Sequence, residues 1–570
     1  VNGNRRVVPV TRAGAFGATT FDAGGVIDWI RRDTLPARAS ARDAGARASG
    51  ALAFPLSLPR VGERDVWIAV PLDPRSPQLA PAASPAAAAR QGEAALVRTT
   101  AAWRASLDRT RIELGGTGAD YALTLRTALA HILVNRDGAA IRPGARSYAR
   151  SWIRDGAMIS TALLELGHAA EVRDYIEWYS NFQYANGKIP CCVDARGADP
   201  VPEHDSHGEF IHLVTHYFQF SGDTAFARQM WPKVAAAAAY IDTLRRQDMT
   251  PAFDTGSARM FRGILPPSIS HEGYSAKPMH SYWDDFWALT GLKDGTALAG
   301  ALGYTAQRAR LSSLADSLRA SILETIALSM QGHRIPFIPG SADLGDFDAT
   351  STTIALAPGG ELSRLPRAAV DATWARYWSQ IIARRDSAKG DDYTPYEWRN
   401  VGALVRLGQK QRAIEVARLL MNDRRPVAWH QWGEVVYRDP KTPKFIGDMP
   451  HTWVASDFIR SLIDMIAYER EDGALVIGAG IPELWANLSP GVRVSGLRTS
   501  LGKLDLTMFG GGRSVRVHVG GALRVPAAGI VVYSPYDTPL RGATVNGAPV
   551  PTDAHSIVIH SLPADIAFAH

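Results

Sequence analysis

From about residue 119 to 470, apolar positions recur at the three- and four-residue spacing of amphipathic helices, and Gly- and Pro-marked loops separate the runs. The spacing predicts helices over 119–134, 153–167, 169–183, 208–221, 224–246 and 283–302. A second set follows over 304–324, 347–357, 366–383, 395–408, 409–423 and 453–470. These twelve form six consecutive pairs. Leu166-Gly167, Ser221-Gly222-Asp223 and Leu407-Gly408 suit helix C-caps, where glycine takes the left-handed conformation. The loops 184–207, 249–282, 325–346 and 424–452 hold most of the unusual polar and aromatic residues. Long loops inside a compact domain are more often functional than idle.

The pattern changes on both sides. Residues 1–100 lack helical periodicity, and Leu52–Leu58 and Val66–Leu72 read as strands between Gly, Pro and charged turns. This predicts a β-rich module, with the question of missing first strands left open by a chain that starts at Val1. Gln78–Gly92, rich in Ala, Pro and Ser, reads as an exposed loop or linker. Beyond 473, Val492–Arg498, Lys503–Phe509, Val515–Val519 and Gly529–Ser534 read as strands, most of them alternating, and predict a small antiparallel sandwich. It has no clear aromatic platform for a glycan, so packing support for the helical part is its simplest role. The expected class is mainly α: a helical domain over 101–472, flanked by a β-rich module at 1–100 and a β-sandwich at 473–570.

Composition narrows the picture without deciding it. A chain of 570 residues exceeds one ordinary core, and 46% hydrophobic residues argues for packed domains rather than disorder. No apolar run is long enough to span a membrane. The 62 basic and 56 acidic residues are interspersed, with no Lys/Arg block of the kind that binds nucleic acid. The only cysteines are the adjacent Cys191 and Cys192, which excludes a disulfide framework. They read either as two thiols lining a loop or as a strained adjacent-residue disulfide. No charged-then-apolar leader follows Val1. The compartment stays open: periplasm or cell exterior if an upstream leader exists, cytoplasm otherwise. Oligomeric state is equally open.

Five segments concentrate chemistry. In the first, Arg154 and Asp155 enter a helix behind Tyr148 and Trp152, as on a pocket floor where sugar C–H faces stack on rings and hydroxyls meet carboxylate and guanidinium. Helix capping is the plain alternative. Second, Pro202–Glu209 carries Asp205, His207 and Glu209; its spacing matches no zinc signature, which favours hydrogen bonding to a substrate or capping over a metal. Third, His271-Glu272 leads to Tyr282-Trp283-Asp284-Asp285, the densest aromatic and acidic stretch. Two adjacent carboxylates beside tryptophan would have raised pKa values, as a general acid requires. Fourth, Glu434 sits between Trp429, Trp432 and Trp453, ahead of Pro450-His-Thr-Trp453. Fifth, the 391–400 stretch with Glu397 and Trp398 opens the tenth helix and can add sugar contacts or merely cap it.

The first, third and fourth segments, in this order, resemble the six-hairpin (α/α)6-barrel glycoside hydrolases, most closely the glucoamylase-like group. Tyr148 through Trp152-Ile-Arg154-Asp155 matches the family's aromatic-x-Trp-x-Arg-Asp at the second helix. Trp283-Asp284-Asp285 stands where the family has Trp-Glu-Glu at the sixth. Glu434 with Pro450-His-Thr-Trp453 stands where the family has a Glu before Pro-Leu-Thr-Trp ahead of the twelfth. Asp for Glu shortens the reach by one methylene, and His451 replaces a Leu.

The resemblance implies an exo-acting, inverting glycoside hydrolase, of α-glucoside type. It assigns Asp284 as general acid with Asp285 close behind, Glu434 as base, and Arg154 and Asp155 as ligands of the terminal sugar. Glu272 is the reserve acid. Neither metal nor cofactor is called for, and the partner is an oligo- or polysaccharide. Four alternatives stay open: a phosphorylase of the same barrel type, another six-hairpin glycosidase such as an α-L-rhamnosidase-like enzyme, a polysaccharide lyase built on a helical toroid, and a non-catalytic glycan-binding protein.

Overall fold

A computed structural model describes residues 6–58, 60–71, 80–387, 392–439, 441 and 444–570. Leu72, Gln78 and Asp391, which fall in segments singled out above, lie outside the described residues. The chain divides into two compact units, Val1–Asp108 and Arg109–His570.

In the first unit, Ala15–Thr19 pairs antiparallel with Ser49–Ala53, and Val8–Pro9 with Ile68–Ala69. The linker reading of 78–92 fails in part, because Pro85–Leu107 is a helix. Ser84 accepts a hydrogen bond from the Ala87 N–H, Pro85 occupies the first turn, and an alanine run follows. Each is a helix-start or helix-forming signal that the Ala/Pro/Ser composition concealed. The helix packs on Trp67 at Gly92, where a Cβ would stand 2.1 Å from the indole.

In the second unit, twelve helices among the described residues alternate between an outer and an inner ring. The outer helices are α1 (Gly118–Asn135), α3 (Ala169–Ser180), α5 (Thr224–Arg245), α7 (Thr305–His333), α9 (Arg367–Asp386) and α11 (Lys410–Asn422). The inner helices are α2 (Ile153–Glu165), α4 (Ser206–Ser221), α6 (Tyr282–Leu302), α8 (Ala349–Leu356), α10 (Trp398–Arg406) and α12 (Thr452–Ile466). Each inner helix packs on the next, and α12 returns to α2, so the ring closes into an (α/α)6 toroid. The predicted helices match within a few residues except α7, which runs to His333 and takes up the start of the predicted 325–346 loop.

The inner helices are buried over most of their length, α2 and α8 on nearly every face. In α2 every residue from Ile153 to Leu164 is buried. Where α4 meets α6 the backbones nearly touch. A Cβ on Gly208 would lie 2.0 Å from the Trp287 carbonyl oxygen, and one on Gly291 would lie 2.6 Å from the Gly208 Cα. Along the facing sides of α10 and α12 runs a set of ion pairs: Arg399 to Asp457 at 2.9 Å, Asp457 to Arg460 at 3.4 Å, and Arg406 to Asp464 at 2.7 Å.

The C-terminal strands form two sheets. One has seven strands in the order 548–550, 542–545, 564–569, 514–520, 502–511, 492–499 and 111–114. The last of these precedes α1 and ties the start of the toroid into the sheet. The other has four strands, 556–559, 530–533, 475–477 and 467–469. Its 475–477 and 530–533 strands are parallel, a departure from the expected all-antiparallel sandwich.

Gly208→Ala should lower stability by roughly 1–3 kcal/mol, since the added methyl forces α4 and α6 apart. A chemical-denaturation midpoint equal to that of the wild type would contradict this close approach.

Candidate functional site

All six inner helices begin at the same end of the toroid, and the loops that precede them build a mouth there. Helix N-termini favour acidic groups, because their first N–H groups are unpaired and their dipoles are positive. Asp155, Asp205, Asp284 and Asp348 all stand at or near such a start.

Arg154 is the hub of the floor. Its side chain is 4% exposed, its Nη1 lies 2.6 Å from Glu203 Oε2, and Asp155 and Asp205 are each 3.7 Å away. Burial works against its charge, but Glu203, then Asp155 and Asp205, outweigh that and hold it cationic. Its guanidinium also lies 4.8 Å from the Trp453 ring centroid. Asp205 accepts from the Trp283 indole N–H at 2.7 Å. Arg399 covers Trp283, Tyr396 and Trp453 from 4.8 to 5.1 Å. Burial pushes the Asp155 carboxyl up to about 7, Arg154 opposes the rise, and Glu272 and Glu434 add to it. Asp155 therefore lies within electrostatic reach of two carboxylates brought in by separate loops.

Glu434 is half-buried. Tyr148 Oη donates to its Oε2 in a very short hydrogen bond, and Tyr396 Oη donates to its Oε1 at 2.9 Å. Burial, then Glu434 itself, raises the Tyr148 pKa, so the hydroxyl keeps its proton and donates. Asp448 locks this arrangement: its carboxylate accepts from the backbone N–H groups of Arg146, Ser147 and Tyr148 at 2.7, 3.1 and 3.1 Å. The neighbouring Gly447 has φ +73°, and a Cβ there would lie 2.7 Å from that of Glu434.

Glu272 is exposed and reaches across to the second helix, where it accepts from the Trp152 indole N–H at 3.1 Å. The Trp152 and Tyr148 rings meet edge to face with centroids 5.8 Å apart. Glu272 and Glu434 are thus linked through two touching rings, each bonded to one of the carboxylates. Glu272 has φ +67°, a conformation that non-glycine residues adopt only when their surroundings impose it.

Asp284 and Asp285 bind the stretch of chain that leads to Glu272. Both are 0% exposed. Asp284 accepts from the Ser268 hydroxyl in a very short bond and from the Ser270 hydroxyl at 2.9 Å. Asp285 accepts from the Leu265 N–H at 2.9 Å. Burial, then Asp205, raises the Asp284 pKa, while burial brings that of Asp285 to about 7. The raised values anticipated from sequence are present, but both side chains are sealed beneath the loop that carries Glu272.

Other expected site residues turn away from the mouth. Trp398 and Trp432 are core residues packed on Phe458, and the Trp432 indole donates to the Leu420 carbonyl of α11. Glu397 faces outward, paired with Arg384 and accepting from the Tyr377 hydroxyl of α9. Tyr282 is fully buried, with its hydroxyl toward Thr325 of α7. His207 accepts from the Ile189 N–H and packs on Tyr240, and Glu209 is buried in α4. Trp429 is 62% exposed, and its neighbour His430 bonds to Thr124 of α1. Tyr396, Arg399, Glu203 and His271 lie inside segments singled out from the sequence but were not named as site residues, and neither was Asp448. Tyr396 and Arg399 were within reach: they flank the singled-out Glu397 and Trp398 and occupy the opposite side of the same helix start.

The fold is that of known glycosidases. It superposes on an α-L-rhamnosidase from Dictyoglumus thermophilum with a TM-score of 0.54 at 12% identity, over 81% of this chain and 50% of that one. A GH78 family rhamnosidase of Bacillus sp. GL1 gives 0.53 at 13% identity, over 74% and 43%. The chain thus spans half or less of the length of these two proteins. No family model and no curated protein matches the sequence.

Asp285 gives a stability signature. In the unfolded chain it ionises near 3.8; folded, it keeps its proton to about 7. Below both values it has no effect, and between them the unfolded state gains by ionising, so folding stability drains as pH rises. The loss is on the order of 4 kcal/mol and is constant above the window. Asp285→Asn should gain stability relative to the wild type as pH rises over this window; parallel denaturation curves would contradict that.

Proposed function

We propose that the protein is an exo-acting glycoside hydrolase that removes a terminal sugar with inversion, using Glu434 as general base and Glu272 as general acid. The observation that carries this reading is the pair of carboxylates on opposing loops above one buried floor of Arg154, Asp155 and Trp453. Inversion needs an acid to protonate the leaving oxygen and a base about 6.5–9.5 Å away to activate water. Glu434 suits the base role because two tyrosine hydroxyls fix its orientation and it remains partly open to water. The acid must touch the glycosidic oxygen. The burial of Asp284 and Asp285 argues against either, and assigns them instead to positioning the Glu272 loop.

In this reading the terminal ring lies over Trp453 and Tyr396, with its hydroxyls on Arg154 and Asp155. The proton leaves Glu272 for the departing alcohol, and water adds to the anomeric carbon as it gives a proton to Glu434. Ion-paired side chains between α10 and α12 back the floor, which favours a chain end over a through-running chain. The toroid, from Gly118 to Ile466, is then the catalytic part. Because both compared structures are rhamnosidases, α-L-rhamnosides join α-glucosides as the first substrates to try.

The test is an aryl-glycoside and oligosaccharide screen with point variants. Glu434→Gln and Glu272→Gln should each lower kcat by about 10²–10⁴-fold on an unactivated glycoside. Only Glu272→Gln should regain rate on a substrate with a strongly acidic leaving phenol, because that substrate needs no proton. Full activity in either variant removes the assigned role. A chain that binds sugar and turns over no substrate would be a glycan-binding protein instead.

A further inference from the structure

Behind Trp152 lie the two cysteines. Cys191 and Cys192 are each 1% exposed, and their Sγ atoms are 2.8 Å apart, well inside the contact distance of two non-bonded sulfurs. Successive side chains of an extended segment point to opposite faces, so this convergence needs a local turn. The chain supplies one: Cys191 sits in a bend immediately before the strand Cys192–Asp194. Backbone hydrogen bonds pin both residues. Ile153 N–H donates to the Cys191 carbonyl at 3.0 Å, Asp199 N–H donates to the Cys192 carbonyl at 3.0 Å, and Cys192 pairs with Trp152 across the strands. The two sulfurs, Trp152, Tyr148 and Val201 form one apolar cluster.

We propose that Cys191 and Cys192 become joined as an adjacent-residue disulfide when the chain folds in the presence of a small-molecule disulfide, and that this bond fixes the strand behind Trp152. In the first step one cysteine thiolate attacks the oxidant, forming a protein mixed disulfide and releasing one small thiolate. The second cysteine thiolate then attacks the protein sulfur of that mixed disulfide and releases the other small thiolate. Two thiols are oxidised, one disulfide is reduced to two thiols, and the two protons end on the released thiolates.

A metal held by the same sulfurs and Asp199 fits less well, although the donor atoms lie within 4.8 Å of one another. The Asp199 carboxylate is already taken by Arg150 at 3.0 Å and by the Val201 N–H at 3.1 Å. The timing follows from burial. The hydrogen bond to Cys192, then desolvation, raises the Cys191 pKa, and both sulfurs are buried, so the folded pair is shielded from exchange. Oxidation therefore belongs to folding, after which the bond is shielded. This inference does not depend on the glycosidase reading, and its test reads mass rather than activity.

The full chain is refolded from denaturant with glutathione disulfide, and in parallel with a phosphine reductant. Intact mass and iodoacetamide uptake are then measured in denaturant without further reductant. The glutathione-folded chain should be lighter by two hydrogens than its reduced counterpart, take up no iodoacetamide and carry no glutathione. In native buffer it should resist reduction at least about tenfold longer than in denaturant. Two alkylatable thiols, or a glutathione adduct, would overturn the proposal. Cys192→Ser, with its single thiol, should carry one glutathione; a two-hydrogen loss there would equally overturn it.

Discussion

A helix ring surrounded by a second ring can keep charged side chains only where they neutralise one another or where the helices end. The toroid obeys this constraint throughout. Between α10 and α12 its charges are paired, as at Arg399–Asp457 and Arg406–Asp464. At the end where the six inner helices start, unpaired N–H groups and helix dipoles favour acids, and Arg154 supplies the countercharge. The polar floor is therefore a consequence of closing the ring, and the loops above it decide what the floor is used for.

Those loops are held from below. The tie from Asp448 to three consecutive N–H groups sets Tyr148 against Glu434. The ties from Asp284 and Asp285 to Ser268, Ser270 and Leu265 anchor the segment that leads to Glu272. A carboxylate sealed away from the mouth cannot reach a substrate, and here it orders a loop instead. The same acids that look catalytic in sequence can thus be structural, while an exposed glutamate on a strained loop meets the demands of proton transfer more directly.

How much the sequence revealed follows from this division. The twelve helices were legible because apolar-rich runs of helical length alternate with Gly- and Pro-marked loops, and α7 was cut short although its last turns remain largely apolar. Tyr148, Trp152, Arg154, Asp155 and Trp453 were legible because they sit in or just before the first turns of inner helices, in motifs with fixed spacing. What remained hidden depends on helix phase and loop path. Glu397 and Trp398 were singled out where the flanking Tyr396 and Arg399 face the mouth, because the inward face of a short helix start cannot be phased from one turn. Asp284 and Asp285 were given the acid role because no sequence pattern reports that a loop folds over them. In the first unit, the helix Pro85–Leu107 was lost to an Ala/Pro/Ser composition that also marks linkers.

The most direct test of the central claim is a crystal structure of the Glu434→Gln variant soaked with an oligosaccharide that the wild type cleaves. The account predicts a terminal ring between Glu272 and residue 434, with hydroxyls on Arg154 and Asp155 and the glycosidic oxygen within hydrogen-bond distance of Glu272. A sugar bound away from this floor, or a glycosidic oxygen facing Asp284 with Glu272 turned outward, would contradict it.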